Sequence, residues 1–214
     1  MLLVSPFFEE ERIAGGIMRM LLSLALVAAV YGVSQKRRDL VIGGIIAAPS
    51  VIGRWLPSYN TDLPLFVAVA IATTIFLAFV TYLIVAEVAG LRTVTFDTIF
   101  GAGCGYLLIG AIWAFIYSII NVVAHPGFVF TDVAKLPPVP NLMEQSRLIQ
   151  LFYFSFITLT STGFGDILPL APVAKAFAVS EVIIGQFYVA ILVARLVSLQ
   201  ILSSERDNGD RSDD

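Results

Sequence analysis

Apolar residues fall in long, nearly unbroken runs, not in the one-sided stripes of helices that face water. A helix needs about 20 mainly apolar residues to cross a bilayer. Five runs meet or approach that length, at roughly residues 13–34, 40–56, 63–90, 97–124 and 172–202. The second is the shortest and contains Pro49. Inside hydrocarbon a segment must satisfy its own backbone hydrogen bonds, which selects helices here because the period-two alternation of a β-barrel is absent. The pattern therefore predicts an all-α integral membrane protein. A sixth apolar stretch, residues 142–159, differs: it is rich in hydroxyls and aromatics and ends in a Gly-rich turn. It follows a loop containing Pro126, Pro137, Pro138 and Pro140, and Asn141 with Glu144 three residues on has the spacing of a helix-start capping pair. A short helix that enters the membrane and turns back is expected there.

Composition sharpens this picture. The 214 residues are 58% hydrophobic and 14% charged, with mean hydropathy +0.89, against about 45–50% and about 25% in a soluble domain. One Cys and one His exclude a disulfide within the chain and a Cys- or His-rich metal cluster. Cys104 is expected to be a small packed residue and His125 an interfacial polar one. Net charge is −3, and half of the acids lie in Glu9–Glu11 and in the tail from Glu205 to Asp214. No basic surface is left for nucleic acid. An enzyme would need a nucleophile–base pair or a ligand set inside the membrane, and the apolar runs contain neither. Basic residues mark the cytoplasmic side, so Lys36-Arg37-Arg38 orients the chain with its C-terminus inside and the loop before residue 147 outside. The acidic N-terminal flank departs from a signal peptide.

One segment carries chemistry: Thr158-Leu159-Thr160-Ser161-Thr162-Gly163-Phe164-Gly165-Asp166. Gly163 and Gly165 admit backbone conformations closed to other residues. A strand with alternating permissive positions can turn successive carbonyls to one side. Copies around an axis would stack rings of carbonyl oxygens that replace a cation's hydration shell. At these residues the chain resembles the potassium-channel pore-domain family, whose pattern Thr-Val-Gly-Tyr-Gly-Asp aligns with Ser161–Asp166. The resemblance extends over residues 97–202.

The resemblance implies an outer helix, a pore helix, a selectivity filter and an inner helix, preceded by about three transmembrane helices as in small bacterial members of the family. Residues 1–92 would then be an N-terminal membrane region, 97–202 the pore domain and 203–214 a short acidic cytoplasmic tail. Ser161, Thr162, Gly163, Phe164 and Gly165 would bind the permeant ion, and Asp166 would attract cations at the outer mouth. Ser161 stands for Thr and keeps its hydroxyl. Thr162 stands for Val and puts a hydroxyl behind the filter. Phe164 stands for Tyr and lacks a phenol. Ile157 occupies a position where some members place a Glu that pairs with the filter-end Asp. A single filter motif implies a homotetramer, since one chain supplies a quarter of the path.

Glu181 is an intramembrane carboxyl and a functional candidate on that ground. The expectation is that it supports the filter through hydroxyls near Thr160 or Thr162, against a second reading as a satisfied packing group. Gly185, one turn on, is a close-packing site or a hinge. Gln186, Val189 and Val193 are assigned to the central cavity, Gln186 equally to a hydrogen bond between helices. No segment has the regularly spaced Arg or Lys of a voltage sensor, and the residues after Leu202 are too few for a ligand-binding domain. The expected protein is a passive, potassium-selective channel subunit of a prokaryotic plasma membrane. Its expected partners are copies of itself, lipid and potassium at the filter, with no other metal and no cofactor. The alternatives are a weakly selective cation channel and a non-conducting membrane scaffold.

Overall fold

A computed structural model describes residues 37–56, 62–90, 96–124, 126–130 and 140–210. The first expected span, residues 13–34, lies outside them, as does His125. Five helices and a two-stranded ribbon make up the described chain: α1 (Arg37–Trp55), α2 (Leu63–Gly90), α3 (Phe96–Val123), β1 (Phe128–Phe130), α4 (Pro140–Leu159), β2 (Ile167–Pro169) and α5 (Pro172–Asp210). Three of the described helices are long and apolar enough to cross a bilayer, over Leu63–Gly90, Thr98–Val123 and Pro172–Leu199. The apolar part of α1, Val41–Gly53, is shorter.

Adjacent helices pack in order, α1 on α2, α2 on α3, α3 on α4 and α4 on α5. The buried positions of α2 are Phe66, Val69, Ala70, Thr73, Phe76, Leu77, Val80 and Thr81, the three- and four-residue spacing of one helix face. Hydropathy could not reveal this stripe, because the exposed face of α2 is equally apolar. Thr73 and Thr81 are accommodated there because each hydroxyl donates to the carbonyl four residues back, both at 2.7 Å. At the α1–α2 contact, Gly53 lets the helices approach until a Cβ would overlap the Val69 side chain.

The second core lies between α3, α4 and the ribbon. Tyr117, Phe128 and Phe154 form a closed trio of rings with centroids 5.1–5.4 Å apart and interplanar angles of 67–76°, the edge-to-face arrangement that aromatic quadrupoles favour. The ribbon pairs Phe128 with Pro169 and Phe130 with Ile167 in antiparallel register. It ties the segment after Asp166 to the chain that leaves α3. Its strands are three residues each and leave the protein all-α.

Two of the boundaries that differ from expectation bear on the site and the tail. The re-entrant helix starts at Pro140, so Asn141 lies inside its first turn and not at the cap; proline suits that first position because its missing N–H has no helical partner to lose. The last helix runs on to Asp210, taking in most of the expected tail.

Candidate functional site

The site is built on the C-terminal end of α4. The last four carbonyls of a helix have no partner within it, and here all four are engaged. Phe156 O accepts from the N–H and hydroxyl of Thr160, at 3.1 and 2.7 Å. Ile157 O accepts from Thr162 N at 2.8 Å and Gly163 N at 3.2 Å, and Thr158 O from Ser161 N at 2.9 Å. Leu159 O accepts from the Tyr106 hydroxyl at 3.1 Å. The bonds from Thr162 and Ser161 are the nested pair of a Schellman motif, which requires a left-handed residue just past the helix. That residue is Ser161, with φ 58°. For a non-glycine residue the left-handed region costs roughly 1–2 kcal/mol.

Positive φ recurs at Gly163 (55°) and Gly165 (81°), while Thr162 and Phe164 are not among the positive-φ residues. The backbone thus alternates in sense at 161, 163 and 165. Alternation of this kind aligns successive peptide carbonyls along one side of the strand. Residues 160–165 are exposed in the single chain, Phe164 at 70%. The exposed hydroxyls of Thr160 and Thr162 share a hydrogen bond at 2.9 Å. Asp166 is partly buried, and one of its oxygens accepts from Ile167 N at 3.1 Å, the turn contact that begins β2.

α5 reaches this end of α4 through three polar or small residues, Glu181, Gly185 and Gln186. Glu181 is fully buried (0%) and contacts the Tyr117 hydroxyl through one oxygen and the Ser155 hydroxyl through the other, both at 2.5 Å. Its partners are therefore not Thr160 or Thr162. α4 and α5 run side by side in a fixed register in which Ser155 is level with Glu181 and Leu159 with Gly185. Glu181 thus sits one turn behind the threonines. Gly185 lies so close to Leu159 that a Cβ would overlap its carbonyl oxygen. Gln186 donates from Nε2 to Ser161 Oγ at 2.9 Å, so it ties α5 to the start of the strand. Val189 and Val193 are exposed on α5, at 42% and 53%. Ile157 is buried, and its role is through its carbonyl. Cys104 is exposed and not packed as expected. Among the described residues no group of His, Cys, Asp or Glu could hold a metal.

Tyr106, Tyr117 and Ser155 were not singled out from the sequence. A signal existed: Tyr106, Gly110, Trp113 and Tyr117 repeat at four-, three- and four-residue spacing, one face of α3.

A re-entrant helix, a glycine-bearing strand hung from its C-terminus, and flanking membrane helices define the pore module of a channel subunit. A family model described as ion channel matches residues 66–200, more than half of the chain. The chain belongs to that family, and it is a membrane channel protein, not an enzyme. Protein LctB of Bacillus caldotenax is 31% identical over 130 residues, which cover 59% of this chain and 90% of that one. Protein LctB of Geobacillus stearothermophilus is 30% identical over 132 residues, with the same coverage. Two pore potassium channel c of Oryza sativa subsp. japonica is 48% identical over 46 residues, 22% of this chain and 10% of that protein. No solved structure matches significantly.

Proposed function

We propose that the chain is one subunit of a homotetrameric, potassium-selective channel that conducts passively. The observation that carries the reading is the alternation of backbone sense at Ser161, Gly163 and Gly165, on an exposed strand that hydrogen bonds tie to the end of α4. Four such strands around an axis would present stacked carbonyl rings, and coordination by carbonyls offsets the loss of a cation's water. In this reading residues 161–165 hold the ions, Asp166 draws cations to the outer mouth, and Val189 and Val193 line the cavity. Glu181 and Gly185 fix α5 against α4. Residues 97–202 are the pore domain, residues 1–92 brace it, and residues 203–214 form a cytoplasmic tail. A prokaryotic plasma membrane with the C-terminus inside fits the placement of Lys36, Arg37 and Arg38. The relative named as a potassium channel supports the choice of ion.

A weakly selective cation pore is the second reading. It is favoured by Phe164, which has no phenol to brace the filter, and by the exposed Thr160–Thr162 hydroxyl pair beside it. Reversal potentials of the purified protein in vesicles, with potassium on one side and sodium on the other, separate the two. A potential near the potassium equilibrium value, with block by barium, is expected. Equal permeability would leave only the weaker reading, and no cation flux at all would remove both.

A further inference from the structure

The oxygens around Glu181 contain one contact too many for an ionised carboxylate. Three oxygen pairs lie at hydrogen-bond distance: Tyr117 to Glu181 at 2.5 Å, Ser155 to Glu181 at 2.5 Å, and Ser155 to the Gly110 carbonyl at 2.7 Å. Each hydrogen bond needs its own hydrogen. Tyr117 and Ser155 supply one each, and a backbone carbonyl supplies none. If Glu181 were a carboxylate, Ser155 would serve one acceptor and face the other with no hydrogen between them. We infer that Glu181 carries the third proton and works as a neutral acid that clamps α4 between α3 and α5.

The assignment of hydrogens is then unique. The protonated oxygen of Glu181 donates to Ser155 Oγ, Ser155 donates to Gly110 O, and Tyr117 donates to the other carboxyl oxygen. Every hydroxyl hydrogen in the cluster is used, and each of the three contacts has one. The surroundings agree with a neutral group: Glu181 is fully shielded from solvent. The titratable groups that interact with it are both on α3, Tyr117 by contact and Tyr106 at longer range, while α4 contributes the Ser155 hydroxyl. Lys175 and Arg195, the nearest cations on α5 in sequence, are six and fourteen residues away, and the Arg195 guanidinium donates to Ala89 O. An unpaired carboxylate at such a site would be strongly unfavourable. Glu181 is on this view a positioning residue. It sets the register that places Gly185 under Leu159, and it adds no negative charge to the ion path.

The test is infrared difference spectroscopy of the full chain in lipid vesicles at neutral pH, wild type minus Glu181→Gln. A protonated carboxylic C=O band that moves in heavy water and vanishes in the variant is expected. Tyr117→Phe should shift the band to higher frequency, because the carboxyl C=O loses its donor. Glutamine can reproduce both the donor and the acceptor of the acid, so Glu181→Gln should keep cation flux while Glu181→Leu loses it. A carboxylate signature in place of the acid band, or loss of flux in Glu181→Gln equal to that in Glu181→Leu, would overturn the inference. The spectroscopic arm needs no conduction, so a protein with the acid band and no flux would sink the channel reading and leave the proton in place.

Discussion

α2 and α5 are both long apolar helices, yet only α5 sends polar side chains across to its neighbours. In α2 the hydroxyls of Thr73, Thr74 and Thr81 turn back onto their own helix. In α5 the hydroxyls of Ser180 and Ser198 do the same, but the larger polar groups reach outward: Glu181 to Tyr117 and Ser155, Gln186 to Ser161, Tyr188 to Ala102 O and Arg195 to Ala89 O. Burial differs as sharply, 39% of the apolar window of α2 against 6% of that of α5. α2 is held by dispersion along a broad face, which is non-directional and tolerant. α5 has little packing within the subunit, so a few directional contacts and one close approach set its position. In lipid, where apolar burial drives no association between helices, close approach and interhelical hydrogen bonds carry that burden. The exposed apolar surface of α5 is what neighbouring copies would cover in the proposed assembly.

The contrast is broken most severely at Gly185. A Cβ there would strike the Leu159 carbonyl, which is backbone and cannot swing aside without moving Thr160 and Ser161. Gly185→Val should cost about 3 kcal/mol, the upper end of overpacking, and abolish flux from vesicles. Retained flux with an unchanged reversal potential would mean that the α4–α5 contact does not position the strand.

Tyr106→Phe comes next. It removes the donor to Leu159 O and leaves a helix-end carbonyl unsatisfied, at a cost of about 1–2 kcal/mol. Because that carbonyl lies at the root of the proposed filter strand, the reversal potential in mixed potassium and sodium should move toward zero. Gly53→Ala is the matched control on the packed side. Its Cβ would meet the Val69 side chain, whose methyls can rotate, so about 1 kcal/mol of stability is expected to be lost. The melting temperature should fall while the reversal potential stays put. A shift in selectivity from Gly53→Ala as large as that from Tyr106→Phe would erase the distinction between the two regions.

Most of the architecture was legible because hydrocarbon constrains it so tightly. The run at 63–90 coincides with α2, and the run at 97–124 is displaced from α3 by one residue at each end. The composition of residues 142–159 marked the re-entrant helix, and the glycine spacing marked the strand after it. What could not be read is register. Nothing in the sequence says that Ser155 is level with Glu181, so the carboxyl was assigned to the threonines one turn on. Tyr117 is 64 residues from Glu181, within a run whose apolar character hid its polar face. Hydropathy reports depth in a membrane well and the direction of a side chain around the helix poorly, because both faces of a buried helix look alike.

Ser161 makes the finest test, since two small effects oppose each other there. Its left-handed backbone is unfavourable for serine by roughly 1–2 kcal/mol, and glycine would remove that cost. Glycine also loosens the unfolded chain by roughly 0.5–1 kcal/mol and deletes the oxygen that accepts from Gln186. An exposed hydrogen bond contributes about 0.5–1.5 kcal/mol, so Ser161→Gly should melt within about 1 kcal/mol of the parent. Ser161→Ala keeps the backbone cost and loses the same oxygen, so it should be the least stable of the three by about 1 kcal/mol. The order glycine equal to serine, both above alanine, is what a left-handed cap with one hydrogen bond predicts. If alanine matched serine, the Gln186 contact would contribute nothing. If glycine fell well below alanine, the left-handed geometry assigned to Ser161 would be wrong, and with it the alternation on which the carbonyl alignment depends.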